Sequence, residues 1–101
     1  MKRKEHLLVC LMEECAEVQQ AVAKGLRFGL DDTHPKQADV TNEKEIVTEF
    51  YQLISVMEQL EMEGFITPPT VKEVQQIKKQ KMEKLKFYMD YSKKERNLIE
   101  D

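Results

Sequence analysis

Several glutamates are spaced so that a helix would carry them on one face, beside apolar residues. Glu14 and Glu17 are three residues apart in a segment with helical periodicity, which places both carboxylates on the same side. In a later helical segment, Glu49 lies three residues after Ile46 and four before Leu53. We therefore predict that these glutamates lie along the edge of the apolar faces and do not simply point into bulk water.

Carboxylates placed in this way favour the binding of a hard divalent cation. An unpaired buried carboxylate is costly, and the sequence offers few basic residues on the matching helix faces. Mg²⁺ prefers oxygen ligands and keeps coordination positions for water and phosphate oxygens, and Mn²⁺ is the alternative ion. The competing interpretation is structural, because glutamate is a good helix former and an acidic pair early in a helix interacts favourably with the helix dipole.

Three helices are predicted to position these residues, because apolar residues recur at spacings of three and four in three segments. Asn42 and Glu45 resemble a capping box before the second helix, and Thr70 and Glu73 form another before the third. The predicted fold is all-α, in a single domain over residues 1–101. Its helices are expected at about 4–24, 43–63 and 71–92, with a loop over 25–42.

The predicted loop is rich in residues that favour turns. Gly25 and Gly29 bracket its first part, and Pro35 follows in an acidic and polar run. Connections of this length are uncommon in compact domains and often carry function. We interpret the segment as a lid that contacts the substrate, and a mobile surface loop without that role is the alternative.

Composition and charge weigh against several classes of protein. The net charge of −3 argues against polymeric nucleic acid as a partner. Acidic residues interrupt the apolar stretch after the basic N-terminus, so we expect neither a signal peptide nor a membrane partner, and a cytoplasmic location. With 101 residues the chain can build only a thin core, which favours homo-oligomerisation.

Lysines are concentrated in the predicted third helix, but they are distributed around it and interrupted by acids. We interpret them as a solvated face, with phosphate contact as the alternative. They are Lys72, Lys78, Lys79, Lys81, Lys84 and Lys86. The sequence contains no glycine-rich phosphate loop, which excludes P-loop chemistry.

The two cysteines lie five residues apart in the first predicted helix. The side chains of Cys10 and Cys15 therefore diverge and cannot form a disulfide with each other, and we predict free, buried thiols. His6 and Cys10 share a helix face, but two ligands alone do not make a metal site. We interpret His6 and Cys10 as packing residues.

The motif Glu13-Glu14-Cys15-Ala16-Glu17 has the form Glu-Glu-x-x-Glu. With this motif the chain resembles the MazG-like, all-α nucleoside triphosphate pyrophosphohydrolases, and the second helix resembles their Glu-x-x-Asp segment. The stretch from Leu26 to Asp32 is similar to the versions carried by bacteriophages. The resemblance covers most of the chain, from Leu7 to about Ser92.

The resemblance implies a fold and a reaction. The expected fold is a three-helix subunit that completes a helical bundle by homo-oligomerisation, as a homodimer or a homotetramer with sites between subunits. The expected reaction is Mg²⁺-dependent hydrolysis of a nucleoside triphosphate between its α and β phosphates, which gives the monophosphate and pyrophosphate. Catalysis of this kind rests on charge neutralisation and on a positioned water.

The resemblance also implies which residues hold the metal. Glu14, Glu17 and Glu49 are the expected metal ligands and catalytic residues, and Glu13 is the catalytic acid that orients water. Gln52 stands where the family usually has Asp, so its amide oxygen can bind the ion but brings no charge. Glu45, one turn before Glu49, is expected to replace the missing carboxylate in part, as a further metal ligand.

Four residues are expected to contact the substrate. Arg27 or Lys81 would hold the outer phosphates, and Gln52 would face the phosphates and the ion. Phe28 would stack on the base, and the alternative is that Phe28 anchors the loop to the core.

Two other functions stay open. One is a nucleotide-binding module with weak or no turnover because of Gln52. The other is a structural helical interaction protein, in which the glutamates bind no cation.

Overall fold

The computed structural model of the protein describes residues 1–99 and is mostly helical, as predicted. Its elements in chain order are α1 (Arg3–Phe28), β1 (Thr33–His34), β2 (Gln37–Thr41), α2 (Asn42–Met62) and α3 (Val71–Lys94). The chain divides into two compact units, Met1–Thr67 and Pro68–Asp101, of which residues 100–101 lie outside the described part. None of the helices within residues 1–99 has the length and apolar character needed to cross a membrane.

α1 extends four residues beyond its predicted end and continues through Gly25. A side chain at Gly25 would meet Leu30 Cδ2 at 3.0 Å and Ile46 Cδ1 at 3.3 Å, so the missing Cβ lets both residues pack against α1. This packing offsets the cost of about 1 kcal/mol that glycine brings to a helix interior. The helix ends instead at Gly29, whose φ of 97° suits glycine and whose N–H donates to the Gly25 carbonyl.

The predicted loop also differs in its second part, because a small hairpin occupies residues 33–41. β1 and β2 pair antiparallel with a register irregularity at Thr33/His34, and the turn between them contains Pro35 and Lys36. The Lys36 N–H donates to His34 Nδ1 at 3.1 Å. Proline after the first turn residue is favourable because its φ is already fixed near the required value.

α2 begins one residue earlier than the capping-box prediction required. Thr41, and not Asn42, is the N-cap, and its side chain accepts a hydrogen bond from the Lys44 N–H. Asn42 is buried as the first helical residue, and its Nδ2 donates to the Gly29 carbonyl at 2.8 Å. The Asn42 and Glu43 N–H groups donate to the carbonyls of Asp32 and Leu30. The start of α2 is thus tied to the segment that follows α1.

The core of the first unit lies between α1 and α2, which run antiparallel. Ala21 and Leu60 are its buried apolar side chains. An ion pair joins Arg3, at the start of α1, to Glu63, just after α2, and a second joins Lys24 to Glu45 near the other ends of these helices. Each ion pair thus links one end of α1 to residues at or just beyond the facing end of α2.

The second unit is built on α3, which begins with the predicted capping box. The Thr70 hydroxyl accepts from the Glu73 N–H, and the Glu73 carboxylate accepts from the Thr70 N–H. α3 contains no buried residue, and its lysines are exposed, as a solvated face requires.

The two thiols are free, but the prediction that both are buried is wrong. Cys10 is half-buried and Cys15 is exposed, because the α1 face that carries Cys15 is not covered within the described residues. Cys10 Sγ lies 3.7 Å from the His6 Nε2, as their spacing of four residues predicts.

Candidate metal centre

Three glutamate side chains from two helices converge in the first unit. Glu14 and Glu17 lie one turn apart on α1, and Glu49 lies on α2. One carboxylate oxygen from each residue lies within 4.8 Å of the others. The convergence depends on the packing of α1 against α2, since neither helix carries all three carboxylates. The structure thus brings together three of the predicted metal ligands.

Burial distinguishes this group from an ordinary acidic surface. Glu14 and Glu49 are half-buried, and Glu17 is exposed. The Oε2 atoms of Glu14 and Glu49 are buried and have no hydrogen-bond partner within the described residues. The ion pairs Arg3–Glu63 and Lys24–Glu45 do not include the three carboxylates. A polar atom that is removed from water without a partner is costly, and a carboxylate more so than a neutral group.

The surroundings of Glu49 disfavour its negatively charged form. Burial is the largest cause that raises the pKa of the Glu49 carboxyl. The hydrogen-bonding contact with Glu17 raises this pKa further, and the charges of Glu17, Glu14 and Glu45 add smaller effects in the same direction. A raised pKa of an acid means that the surroundings disfavour the ionised form. A bound cation would reverse this balance, because it stabilises the ionised form of every carboxylate around it.

The donor set fits a hard divalent cation. Carboxylate oxygens are the ligands that Mg²⁺ and Mn²⁺ prefer, and the two unpartnered Oε2 atoms are oxygen donors that the protein itself does not use. Glu14, Glu17 and Glu49 are the residues that could hold the ion. Two helices would each contribute ligands, so the ion would also stabilise their packing.

Glu45, the predicted fourth carboxylate ligand, does not lie with the other three carboxylates. Its Oε1 accepts from Lys24 Nζ at 3.2 Å, and Glu45 does not belong to the three-carboxylate group. Its charge nevertheless contributes to the raised pKa of Glu49, which lies one turn further along α2. The role of Glu45 as a ligand stays a prediction, and Lys24 is a neighbour that the helical spacing did not reveal.

The remaining predicted site residues are exposed. Glu13 precedes Glu14 on α1, and Gln52 lies three residues after Glu49 on α2. Lys81 lies on α3, in the second unit. Their proposed contacts with water, the ion and phosphate stay predictions.

Arg27 and Phe28 form a pair at the end of α1. The Arg27 guanidinium lies 5.3 Å from the centroid of the Phe28 ring, in a cation–π contact. Phe28 is 58% exposed, so the alternative that it anchors the loop in the core is wrong. The ring instead lines a cavity with Asp32 and His34. Sequence reasoning identified Asp32 and His34 only as turn residues, and their shared cavity depends on the hairpin.

Comparison with models of known protein families finds no match, and neither do comparisons with curated proteins and with solved structures.

Proposed function

We propose that the protein is a Mg²⁺-dependent nucleoside triphosphate pyrophosphohydrolase. The reaction converts a ribo- or deoxyribonucleoside triphosphate and water into the monophosphate and pyrophosphate. The observation that carries this proposal is the convergence of Glu14, Glu17 and Glu49, of which two hold a buried oxygen without a hydrogen-bond partner. The MazG-like form of the motif over 13–17 supports the same activity.

In this proposal the three carboxylates hold the ion from two sides. Glu14 and Glu17 approach it from α1, and Glu49 approaches from α2. Mg²⁺ bound there supplies positive charge to the phosphate oxygens of the substrate. Gln52, about one turn after Glu49, offers a neutral amide oxygen toward the same region.

A third glutamate of α1 acts on the attacking water. Glu13 is exposed beside Glu14, and its carboxylate accepts a hydrogen bond from the water. The water oxygen forms a bond to the α-phosphorus, and the bond from that phosphorus to the oxygen that bridges the α and β phosphates breaks. Pyrophosphate leaves with the bridging oxygen, and the proton of the water passes to Glu13.

The active form in this proposal is a homodimer or a homotetramer that completes a helical bundle. Support comes from the small number of buried apolar side chains in the first unit, Ala21 and Leu60. Large apolar residues such as Leu26 and Met62 are 85% and 81% exposed. Exposed apolar surface of this kind marks association sites in many proteins.

A nucleotide-binding module with little turnover is the second candidate, and the neutral Gln52 in place of an acid favours it. Both candidates require the cation and a nucleotide. They differ in whether pyrophosphate is released.

Pyrophosphate release from a panel of ribo- and deoxynucleoside triphosphates, with Mg²⁺ and with a chelator, tests the proposal. We expect release with Mg²⁺ that the chelator abolishes and that Glu17→Gln lowers at least tenfold. Glu58→Gln, an exposed glutamate of α2 outside the group, is the matched control and should retain activity. Thermal stabilisation by a nucleotide without release, with activity gained in Gln52→Asp, would favour the binding module. Absence of both release and stabilisation would contradict either function.

A further inference from the structure

A cavity in the first unit borders the candidate metal centre. Its volume is about 380 Å³, and it lies where the end of α1, the hairpin and the start of α2 meet. The lining residues used below are Lys24, Phe28, Asp32, His34, Asn42 and Glu45. Pockets that hold small ligands measure roughly 300–1,000 Å³, so this cavity has room for a base with its sugar but not for a large ligand.

Glu45 on α2 links the cavity to the three carboxylates, because it lines the cavity and its charge acts on Glu49. Glu45 lines the cavity and lies four residues before Glu49, on the same face of α2. Lys24, which also lines the cavity, forms an ion pair with Glu45, with 3.2 Å between Lys24 Nζ and Glu45 Oε1. A ligand in the cavity would therefore have one end beside the acidic group.

The cavity is lined by an aromatic ring and by polar side chains whose hydrogen-bond donors and acceptors can be assigned. Phe28 presents an exposed ring that carries the Arg27 guanidinium at 5.3 Å, and a base can stack on such a ring. His34 Nδ1 accepts the Lys36 N–H, so the Nε2 of the neutral imidazole is a donor. Asp32 Oδ1 accepts from the Thr33 N–H, and a carboxylate has capacity for further donors.

The backbone around the cavity is held in place. Asn42 donates from its side chain to the Gly29 carbonyl and from its N–H to the Asp32 carbonyl, at 2.8 and 2.9 Å. These bonds fix the Asp32 segment against the start of α2. The backbone that carries Asp32 is thus in place before any ligand binds, and the Thr33 N–H holds the Asp32 carboxylate, which lowers the ordering cost of binding.

We infer that this cavity binds the nucleoside end of the substrate and selects a base that carries an exocyclic amino group. This inference rests on the proposed function, since it places the phosphates at the three carboxylates. The base stacks on Phe28, and its amino group donates to the Asp32 carboxylate. A base with a carbonyl oxygen at that position would face the carboxylate with an acceptor, which is unfavourable.

Calorimetric titration in Mg²⁺ with three ligands tests the inference. Two are the α,β-methylene analogues of ATP and ITP, called ATP and ITP below, which cannot be hydrolysed between the α and β phosphates and which carry an amino group and a carbonyl, respectively, at the same position of the base. The third is inorganic tripolyphosphate, which has no base. We expect ATP to bind at least tenfold more tightly than ITP and tripolyphosphate. Phe28→Ala should weaken ATP binding at least tenfold and leave tripolyphosphate binding unchanged. Asp32→Asn should reduce the preference for ATP over ITP. Phe87→Ala, an exposed phenylalanine of α3 outside this cavity, is the control, and circular dichroism checks that every variant is folded.

Equal binding of ATP and tripolyphosphate would overturn the inference while leaving the cation site intact, and so would equal weakening of both ligands in Phe28→Ala. NMR titration with adenosine and inosine tests the cavity without any phosphate. If no triphosphate binds but adenosine shifts the Phe28 and His34 resonances more than inosine does, the proposed function fails and the cavity assignment stands. If adenosine shifts neither residue, the cavity assignment fails.

Discussion

At the scale of single residues, Glu49 is the group whose surroundings most oppose its ordinary ionisation state. Burial and the neighbouring acids raise its pKa, and its Oε2 lacks a hydrogen-bond partner within the described residues. Without a cation the folded protein holds this carboxyl's proton more firmly than the unfolded chain does. Glu49 therefore couples the stability of the fold to both pH and metal.

Replacement of Glu49 tests this coupling. In chelator, the wild-type protein should lose stability relative to Glu49→Gln as pH rises from about 4.5 through the raised pKa, because only the wild type must then carry the unfavourable charge. In Mg²⁺ at about 100 times its Kd, the wild type should gain about 2.7 kcal/mol and the variant much less. Thermal unfolding between pH 4 and 8 measures both effects. Stabilisation of Glu14→Gln and Glu17→Gln even in saturating Mg²⁺ would favour the structural interaction protein instead.

The ion pair at the opposite end of the first unit has the reverse pH dependence. Hydrogen bonds from Arg3 and Gln59 lower the pKa of Glu63 to about 2. Its contribution to stability is therefore complete above about pH 4.5, the ordinary value, and is lost as pH falls toward 2. We expect Arg3→Gln to destabilise the protein only slightly at pH 7, because the Arg3 side chain is 67% exposed, and not at all near pH 2, where Glu63 is protonated. Urea unfolding at several pH values measures the difference, and a constant difference down to pH 2 would contradict it.

The positions of the three glutamates can be predicted from the sequence better than the positions of the residues that line the cavity. Glu14, Glu17 and Glu49 can be assigned to apolar edges from helical spacing alone, and their meeting then requires only that α1 packs on α2. The partnership of Lys24 with Glu45 and the position of Phe28 depend on how the chain turns after Gly29, which spacing does not encode.

At the scale of elements, the buried side chain of Asn42 adds to the backbone hydrogen bonds that hold the junction between α1 and α2. Asn42 is 7% exposed and its Nδ2 donates to the Gly29 carbonyl, at the end of α1. This hydrogen bond therefore joins Gly29, which follows α1, to Asn42, the first residue of α2.

Asn42→Ala should destabilise the protein by about 1 kcal/mol, because the Gly29 carbonyl loses this donor and keeps the longer bond from the Asp32 N–H, at 3.3 Å. Asn42→Asp should cost at least as much, since it places an acceptor against that carbonyl. Asn97→Ala, an exposed asparagine of the second unit, is the control and should change stability by less than about 0.5 kcal/mol. Urea denaturation provides the free energies. An Asn42→Ala variant as stable as the control would show that this junction does not hold α1 and α2 together.

The helices could be predicted from the sequence, but the hairpin could not. Long apolar periodicity and the Thr70–Glu73 pair indicate α2 and α3 directly. Two strands of two and five residues contain too little alternation to stand out from a turn-rich loop. The end of α1 was predicted at Gly25 because glycine usually interrupts helices, whereas here its missing side chain admits Leu30 and Ile46.

At the scale of the whole molecule, the described chain leaves many large apolar side chains exposed. Periodicity identifies the apolar face of each helix but not which faces meet. Leu8 and Val22 are among the apolar residues that recur at spacings of three and four in α1, which predicts that they are buried, yet they are 40% and 39% exposed, while Ala21 is buried. Association with further copies of the chain would cover such residues.

Sedimentation or light scattering at micromolar concentration measures the association directly. We expect a mass of two or four chains, since exposed apolar surface of this extent is unfavourable in water. Met62→Lys, which places a charge on an 81% exposed apolar position, should weaken association if that position lies in the interface. A mass of 11.9 kDa, that of one chain, would contradict the prediction.

A titration with Mn²⁺ followed by electron paramagnetic resonance shows whether carboxylates from α1 and α2 bind one cation together. We predict that the wild-type protein binds Mn²⁺, that Mg²⁺ competes for the site, and that Glu14→Gln on α1 and Glu49→Gln on α2 each lower the affinity at least tenfold. Glu58→Gln should bind as the wild type does. An affinity that is unchanged in Glu49→Gln would contradict binding by both helices, because the site would then not include α2.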